Sequence, residues 1–194
     1  MLKLIFRWLF KKNGWRVNNP FMAECQHCVM IGAPHTSNWD FVYTMVAFEI
    51  MNIPLRFTIK KEWMRWPLSV FVKPFGAVAI DRTPEPGSPK KSMVDAMADL
   101  LRSTPNMAMV VTPEGTRKSV KKIRMGFYHV ALKANVPIAL GYLDYGKKIA
   151  GVGKMLYPSG DLQADMKVII DFYKTVTAKF PELNSFCRPD FQVG

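Results

Sequence analysis

Cys28-Val29-Met30-Ile31-Gly32-Ala33-Pro34-His35-Thr36-Ser37-Asn38-Trp39-Asp40 is the stretch on which the reading of this chain turns. Its first six residues form an unbroken apolar run, the length of a strand buried on both faces. Pro34 ends the run. Ser37 or Asn38 then supplies an N-cap for a helix whose apolar positions Phe41, Met45, Phe48 and Met51 recur at helical spacing. A buried strand feeding directly into a helix is the unit from which α/β sheets are built. The same stretch carries chemistry. His35 falls in the tight connection and Asp40 in the first helical turn, so their side chains can meet. A carboxylate that holds one imidazole nitrogen fixes the tautomer and leaves the other nitrogen free to take a proton. That is the local arrangement of a general base.

The pattern recurs downstream. Met107-Ala108-Met109-Val110-Val111 reads as a second buried strand, and Thr112-Pro113-Glu114-Gly115-Thr116-Arg117 follows it. A plain connecting loop needs no glutamate and arginine flanking a glycine. A ligand site at the carboxyl ends of sheet strands does use such residues. Arg117 offers a planar, permanently charged fork suited to phosphate or carboxylate. Gly115 lets the backbone turn sharply or approach a ligand closely.

Together these residues resemble the glycerolipid acyltransferase family that includes the lysophosphatidate acyltransferases. That family carries four blocks in order: His-x4-Asp, Gly-x-x-x-Ile-Asp-Arg, Glu-Gly-Thr-Arg and a Val-Pro block. His35 and Asp40 match the first. Gly76-Ala77-Val78-Ala79-Ile80-Asp81-Arg82 looks like the second, Glu114-Gly115-Thr116-Arg117 matches the third, and Val136-Pro137-Ile138 looks like the start of the fourth. The blocks run from His35 to about Leu140, over half the chain. Two positions depart from the pattern. Pro34 stands where an asparagine usually precedes the histidine, and Ala139-Leu140 stand where a second proline is often found. The resemblance implies transfer of a fatty acyl group from acyl-CoA or acyl-carrier protein to the hydroxyl of a lysolipid, by default 1-acylglycerol-3-phosphate, in membrane lipid biosynthesis. It implies His35 as the base, Asp40 as its partner, and a substrate-binding set of Glu114, Gly115, Thr116 and Arg117 with Arg82 assisting. Three alternatives stand beside it: a lyso-amino lipid acceptor, hydrolysis of a lipid or thioester by the same His-Asp pair, and a non-catalytic peripheral protein that binds acyl chains. No cofactor is expected.

Composition narrows the partners. The 194 residues are 49% hydrophobic, enough for one domain with a proper core. There are 27 basic and 15 acidic residues, a net charge of +12. No acidic residue precedes Glu24, and none lies between Glu114 and Asp144. So positive a field favours anionic lipid surfaces and phosphate-bearing substrates. Nucleic acid is not expected, because no recognition motif accompanies the charge and the aromatic residues lie in apolar stretches. No 18-residue run lacks charge, so no transmembrane helix is expected. No signal peptide is expected either, since Lys3, Arg7 and Lys11 interrupt the first apolar stretch. Cys25-Gln26-His27-Cys28 falls short of a structural zinc site, which wants four ligands. No metal is expected, and the three cysteines suit a reduced, cytoplasmic protein.

The N-terminal segment Leu2–Lys12 has Lys3, Arg7 and Lys11 four apart, one narrow basic stripe on an otherwise apolar helix. This suits a helix lying in a membrane interface with Trp8 at the boundary; packing on the domain core is the other reading. The expected organisation is an amphipathic membrane-interface helix over residues 1–16 and one acyltransferase domain over 17–194. The expected location is the cytoplasmic face of the cell membrane, bound peripherally. Leu55–Lys60 and Ala77–Ile80 read as further strands, and the tryptophan-rich stretch Lys61–Lys73 as acyl-groove lining, bilayer contact or core. The loop Thr83–Pro89 leads into a helix capped by Ser88, with Met93, Met97, Leu100 and Leu101 facing inward. Lys122–Ala134 reads as a helix ended by Asn135, Pro137–Tyr142 as a strand, and Asp161 as the cap of a last helix. Strands alternating with helices predict an α/β sandwich with a largely parallel mixed sheet flanked by helices. The family resemblance implies the same fold.

Overall fold

In a computed structural model, which describes residues 2–59, 76–79 and 92–193, the apolar run becomes β2 (Cys28–Gly32) at the centre of a seven-stranded sheet. The other strands are β1 (Arg16–Asn18), β3 (Leu55–Ile59), β4 (Ala77–Ala79), β5 (Ala108–Val111), β6 (Ile138–Asp144) and β7 (Ile149–Leu156). Their order is β1-β7-β6-β2-β5-β3-β4. Every neighbouring pair runs parallel except β6 and β7, which form an antiparallel hairpin. The fold is therefore the expected α/β type with a largely parallel sheet.

A parallel sheet must be covered on both faces, and β2 shows how the sequence arranges it. Val29 and Ile31 point to one side, into a core with α3 (Met93–Ser103), α4 (Gly126–Ala134) and α5 (Leu162–Lys174). Cys28 and Met30 point to the other, into a core with α1 (Leu2–Lys12) and α2 (Asn38–Ile50). All four side chains are fully buried. That is why the run shows no polar alternation.

Helix ends follow local chemistry. Ser37 caps α2, and a capping box joins it to Asp40. Asp161 caps α5 by accepting from Gln163 and Ala164 N–H, both at 3.0 Å. Asn135 closes α4 in the left-handed conformation, φ 54°. Helix α4 begins at Gly126 rather than Lys122, because Lys122 is drawn into a bridge with Gln192. Helix α3 begins at Met93, where Ser92 Oγ accepts from Asp95 N–H at 3.1 Å. The cap expected at Ser88 lies outside the described residues. Met97 and Leu101 are buried as expected, but Met93, in the first turn, is exposed.

Two findings concern the N-terminal segment and the hairpin. Strand β1 pairs with β7. Phe10 and Trp15 are buried in the same core as α2, so α1 is packed onto the domain. Strands β1 and β7 were not expected at all. Gly151 and Gly153 weaken the strand pattern of β7, yet both are required. A Cβ on Gly151 would stand 1.7 Å from Asn18 O, and one on Gly153 would stand 2.3 Å from the Phe172 ring.

Candidate functional site

The two motif loops meet because β2 and β5 are neighbours in register, with Ile31 opposite Val111. Residues 33–37 leave the carboxyl end of one strand and residues 112–117 leave the same end of the next. His35 and Glu114, 79 residues apart, touch there: Glu114 Oε2 accepts from His35 N–H at 2.7 Å.

His35 Nδ1 lies 3.3 Å from Asp40 Oδ2. The same Oδ2 accepts from the N–H groups of Thr36 and Ser37, each at 2.8 Å. Asp40 is thus both the acid of the capping box and the partner of His35, and helix geometry fixes it for both tasks. Asp40 Oδ1 accepts from the Tyr145 hydroxyl at 2.7 Å. Burial pushes the Asp40 carboxyl up, but His35, Tyr145 and the two amides outweigh it and hold the group below its usual range. Asp40 is therefore ionised. His35 is 22% exposed, and among the described residues its Nε2 has no hydrogen-bond partner, which leaves that nitrogen for a substrate proton.

Glu114 is only 5% exposed. Its carboxylate lies against the main chain of His35, so it supports the histidine from below. Its other oxygen, Oε1, is buried without a partner among the described residues. Burial pushes its carboxyl up, against the opposing pull of the His35 N–H.

Gly115 adopts φ +64°, a conformation that favours glycine. A Cβ there would meet the Arg124 guanidinium at 3.0 Å. Thr116 Oγ1 accepts from Lys118 N–H at 3.3 Å and so shapes the exposed loop. Arg117 reaches back to α2 and donates to Asn38 Oδ1. Arg82 lies outside the described residues, as do Ile80 and Asp81 and the tryptophan-rich stretch.

Between α2 and the sheet runs a cavity of about 480 Å³. His35, Asp40, Gly115 and Arg124 line it together with the apolar side chains Met30, Phe41, Met45, Phe48, Phe57 and Val110. A base, a guanidinium and an apolar slot in one cleft suit a molecule that is part polar and part hydrocarbon. Two residues escaped the sequence reading. Arg124 lay unmarked within the acid-free stretch between Glu114 and Asp144. Tyr145 carried no signal, since the β6–β7 turn that brings it here was itself unexpected. Among the described residues no group of three or more metal-ligating side chains comes together.

No curated protein matches this chain. In fold it is similar to the crystal structure of the 1-acyl-sn-glycerophosphate (LPA) acyltransferase PlsC from Thermotoga maritima. The TM-score is 0.56 and the identity 14%, over 89% of this chain and 75% of that one. At that identity the likeness is one of fold. The sequence profile of the family described as Acyltransferase matches residues 15–139. That span runs from Trp15 into β6 and takes in His35, Asp40 and Glu114, so the chain belongs to the acyltransferase family.

Proposed function

We propose that this acyltransferase moves a fatty acyl group from an acyl thioester, carried by CoA or acyl-carrier protein, to the hydroxyl of a lysolipid. The preferred acceptor is 1-acylglycerol-3-phosphate. The observation that carries the proposal is the His35–Asp40 pair opening onto an apolar cavity. In the reaction His35 Nε2 takes the acceptor's hydroxyl proton as the oxygen attacks the thioester carbonyl. Asp40 holds Nδ1 and balances the imidazolium. The tetrahedral intermediate collapses, the carbon–sulfur bond breaks, and the imidazolium returns the proton to the departing thiolate. General-base assistance of this kind is worth about 10²–10⁴-fold. No covalent acyl-enzyme is needed, because a thioester is already activated. Arg124, which lines the cavity beside Gly115, and Arg117, which reaches Asn38 at the start of α2, supply two guanidinium groups for the acceptor's anionic headgroup. The apolar side chains under α2 take hydrocarbon.

The proposal includes a peripheral position on the cytoplasmic face of the cell membrane. Leu4, Ile5 and Trp8 expose apolar surface on α1, and the chain carries net charge +12 toward an anionic surface. Among the described residues no helix is long and apolar enough to cross a membrane.

The deciding experiment incubates the purified protein with labelled acyl-CoA or acyl-carrier protein, with and without 1-acylglycerol-3-phosphate. The expected product is labelled diacylglycerol phosphate, lost by about 10²-fold or more in His35→Ala. Labelled free fatty acid in place of esterified lipid identifies a hydrolase. Esterification of a lyso-amino lipid alone changes the acceptor but keeps the mechanism. Near-wild-type turnover by His35→Ala overturns it.

A further inference from the structure

Asp40 has two carboxylate oxygens, and only one of them serves His35. Oδ2 takes His35 Nδ1 and the amides of Thr36 and Ser37. Oδ1 takes the Tyr145 hydroxyl, from a residue 105 positions further along the chain.

Tyr145 is held at both ends. Its N–H donates to Thr177 O at 2.8 Å. Asp144 Oδ1 accepts from Lys147 N–H at 2.9 Å and closes the turn around it. Its ring meets Trp15 edge-on at 4.9 Å and Tyr43 edge-on at 6.2 Å, while Trp15 and Tyr43 stack on each other at 4.7 Å. Behind them Phe10 of α1 lies 5.8 Å from Trp15 and 5.9 Å from Tyr43. Burial and the nearby Asp40 carboxylate hold the phenol well above its ordinary value, so it remains a donor.

We infer that Tyr145 is a positioning residue for the His35–Asp40 pair, seated by an aromatic stack that begins on the N-terminal helix. Its hydroxyl fixes the rotation of the Asp40 carboxylate and so keeps Oδ2 on His35 Nδ1. Without it Oδ1 becomes a buried carboxylate oxygen with no donor. The group then relieves itself by turning or by taking a proton, and either response loosens the histidine. The inference rests on the proposed use of His35 as a base, but the geometry it concerns exists in the unliganded protein.

Tyr145→Phe tests it, because that change keeps the ring and the stack and removes one oxygen. The expected result is a loss of about tenfold or more in kcat, with KM for donor and acceptor unchanged. In an Asp40→Asn background the same change costs nothing further, because Tyr145 acts through Asp40. Nitrogen-15 NMR of labelled histidine, with the His35 signal identified by its absence in His35→Ala, gives a second readout. The wild type shows His35 as one neutral tautomer protonated on Nδ1, and Tyr145→Phe shows a mixture. Wild-type kcat, an unchanged tautomer, or a loss that multiplies with Asp40→Asn overturns the inference. If the wild-type protein transfers no acyl group at all, the proposed function fails, and the tautomer measurement still decides the role of Tyr145.

Discussion

At the scale of single residues, Glu114 and Asp40 are buried carboxylates with opposite effects on folding. Glu114 has one oxygen on the His35 N–H and the other without a partner among the described residues. Burial raises its folded-state value above the ordinary 4.5. Its contribution to stability is therefore fullest below pH 4.5 and is lost as pH rises through the folded value. Asp40 behaves in reverse. Its folded value lies below the ordinary 3.8, so its contribution is present above that pH and is lost as pH falls through the folded value. Glu114→Gln keeps an acceptor for His35 N–H and removes the buried charge. We expect it to melt with the wild type near pH 4 and to gain about 1 kcal/mol at neutral pH, with most activity retained. Glu114→Ala, which removes the acceptor, loses activity. Thermal melts from pH 4 to pH 8 provide the check, and a gap that does not change with pH rules out this account. His35 and Asp40 were legible in the sequence because five positions of one strand–helix junction bring them together. The use of Glu114 beneath the histidine was not, since the pairing of β5 with β2 creates it. Tyr145 was hidden because the β6–β7 turn that carries it was unexpected, and Arg124 because nothing in the acid-free stretch between Glu114 and Asp144 singled it out.

At the scale of elements, α1 packs one side on the domain and leaves the other exposed. Phe10 is 1% exposed and belongs to the core, while Leu4, Ile5 and Trp8 on the other side are 50% to 69% exposed. A helix with one apolar side in the domain has a second to give to a bilayer. The pair Leu4→Ser and Trp8→Ser removes apolar surface from the outer side and leaves Phe10 in place. We expect the double variant to keep its melting temperature and to lose most binding to anionic liposomes. For the wild type, high salt should weaken binding without abolishing it, since each basic residue contributes about 1 kcal/mol that salt screens and the apolar side is not screened in that way. Co-sedimentation at low and high salt measures both, and full binding by the double variant removes α1 as the contact. Strands β2 and β5 were legible as apolar runs because both faces of the sheet are covered there. Strand β7 was not, because its glycines answer to β1 and to Phe172 rather than to its own pattern. Strand β1 is three residues with every side chain exposed, so it offered no pattern to read.

At the scale of the whole molecule, the strand order sets what can move. Strand β2 is paired on both edges, with Cys28 N–H donating to Met107 O at 3.2 Å and Val29 N–H to Pro137 O at 3.0 Å. Helices also cover it on both faces. To free one of its amides for exchange with solvent deuterium, the sheet must part on one side or the other, an opening close to global unfolding. The amides of Met30 and Ile31 should therefore be among the last to exchange, and those in the first turns of α1 among the first. Hydrogen exchange read by NMR would show the order, and β2 exchanging as fast as α1 would contradict it. His35 is thus joined to the segment slowest to open, while its partner Asp40 rides on α2, which covers the cavity. Under the proposed function, breathing of that helix away from the sheet admits the hydrocarbon chain. Each admission then perturbs the aspartate side of the pair and leaves the histidine's anchorage where it was.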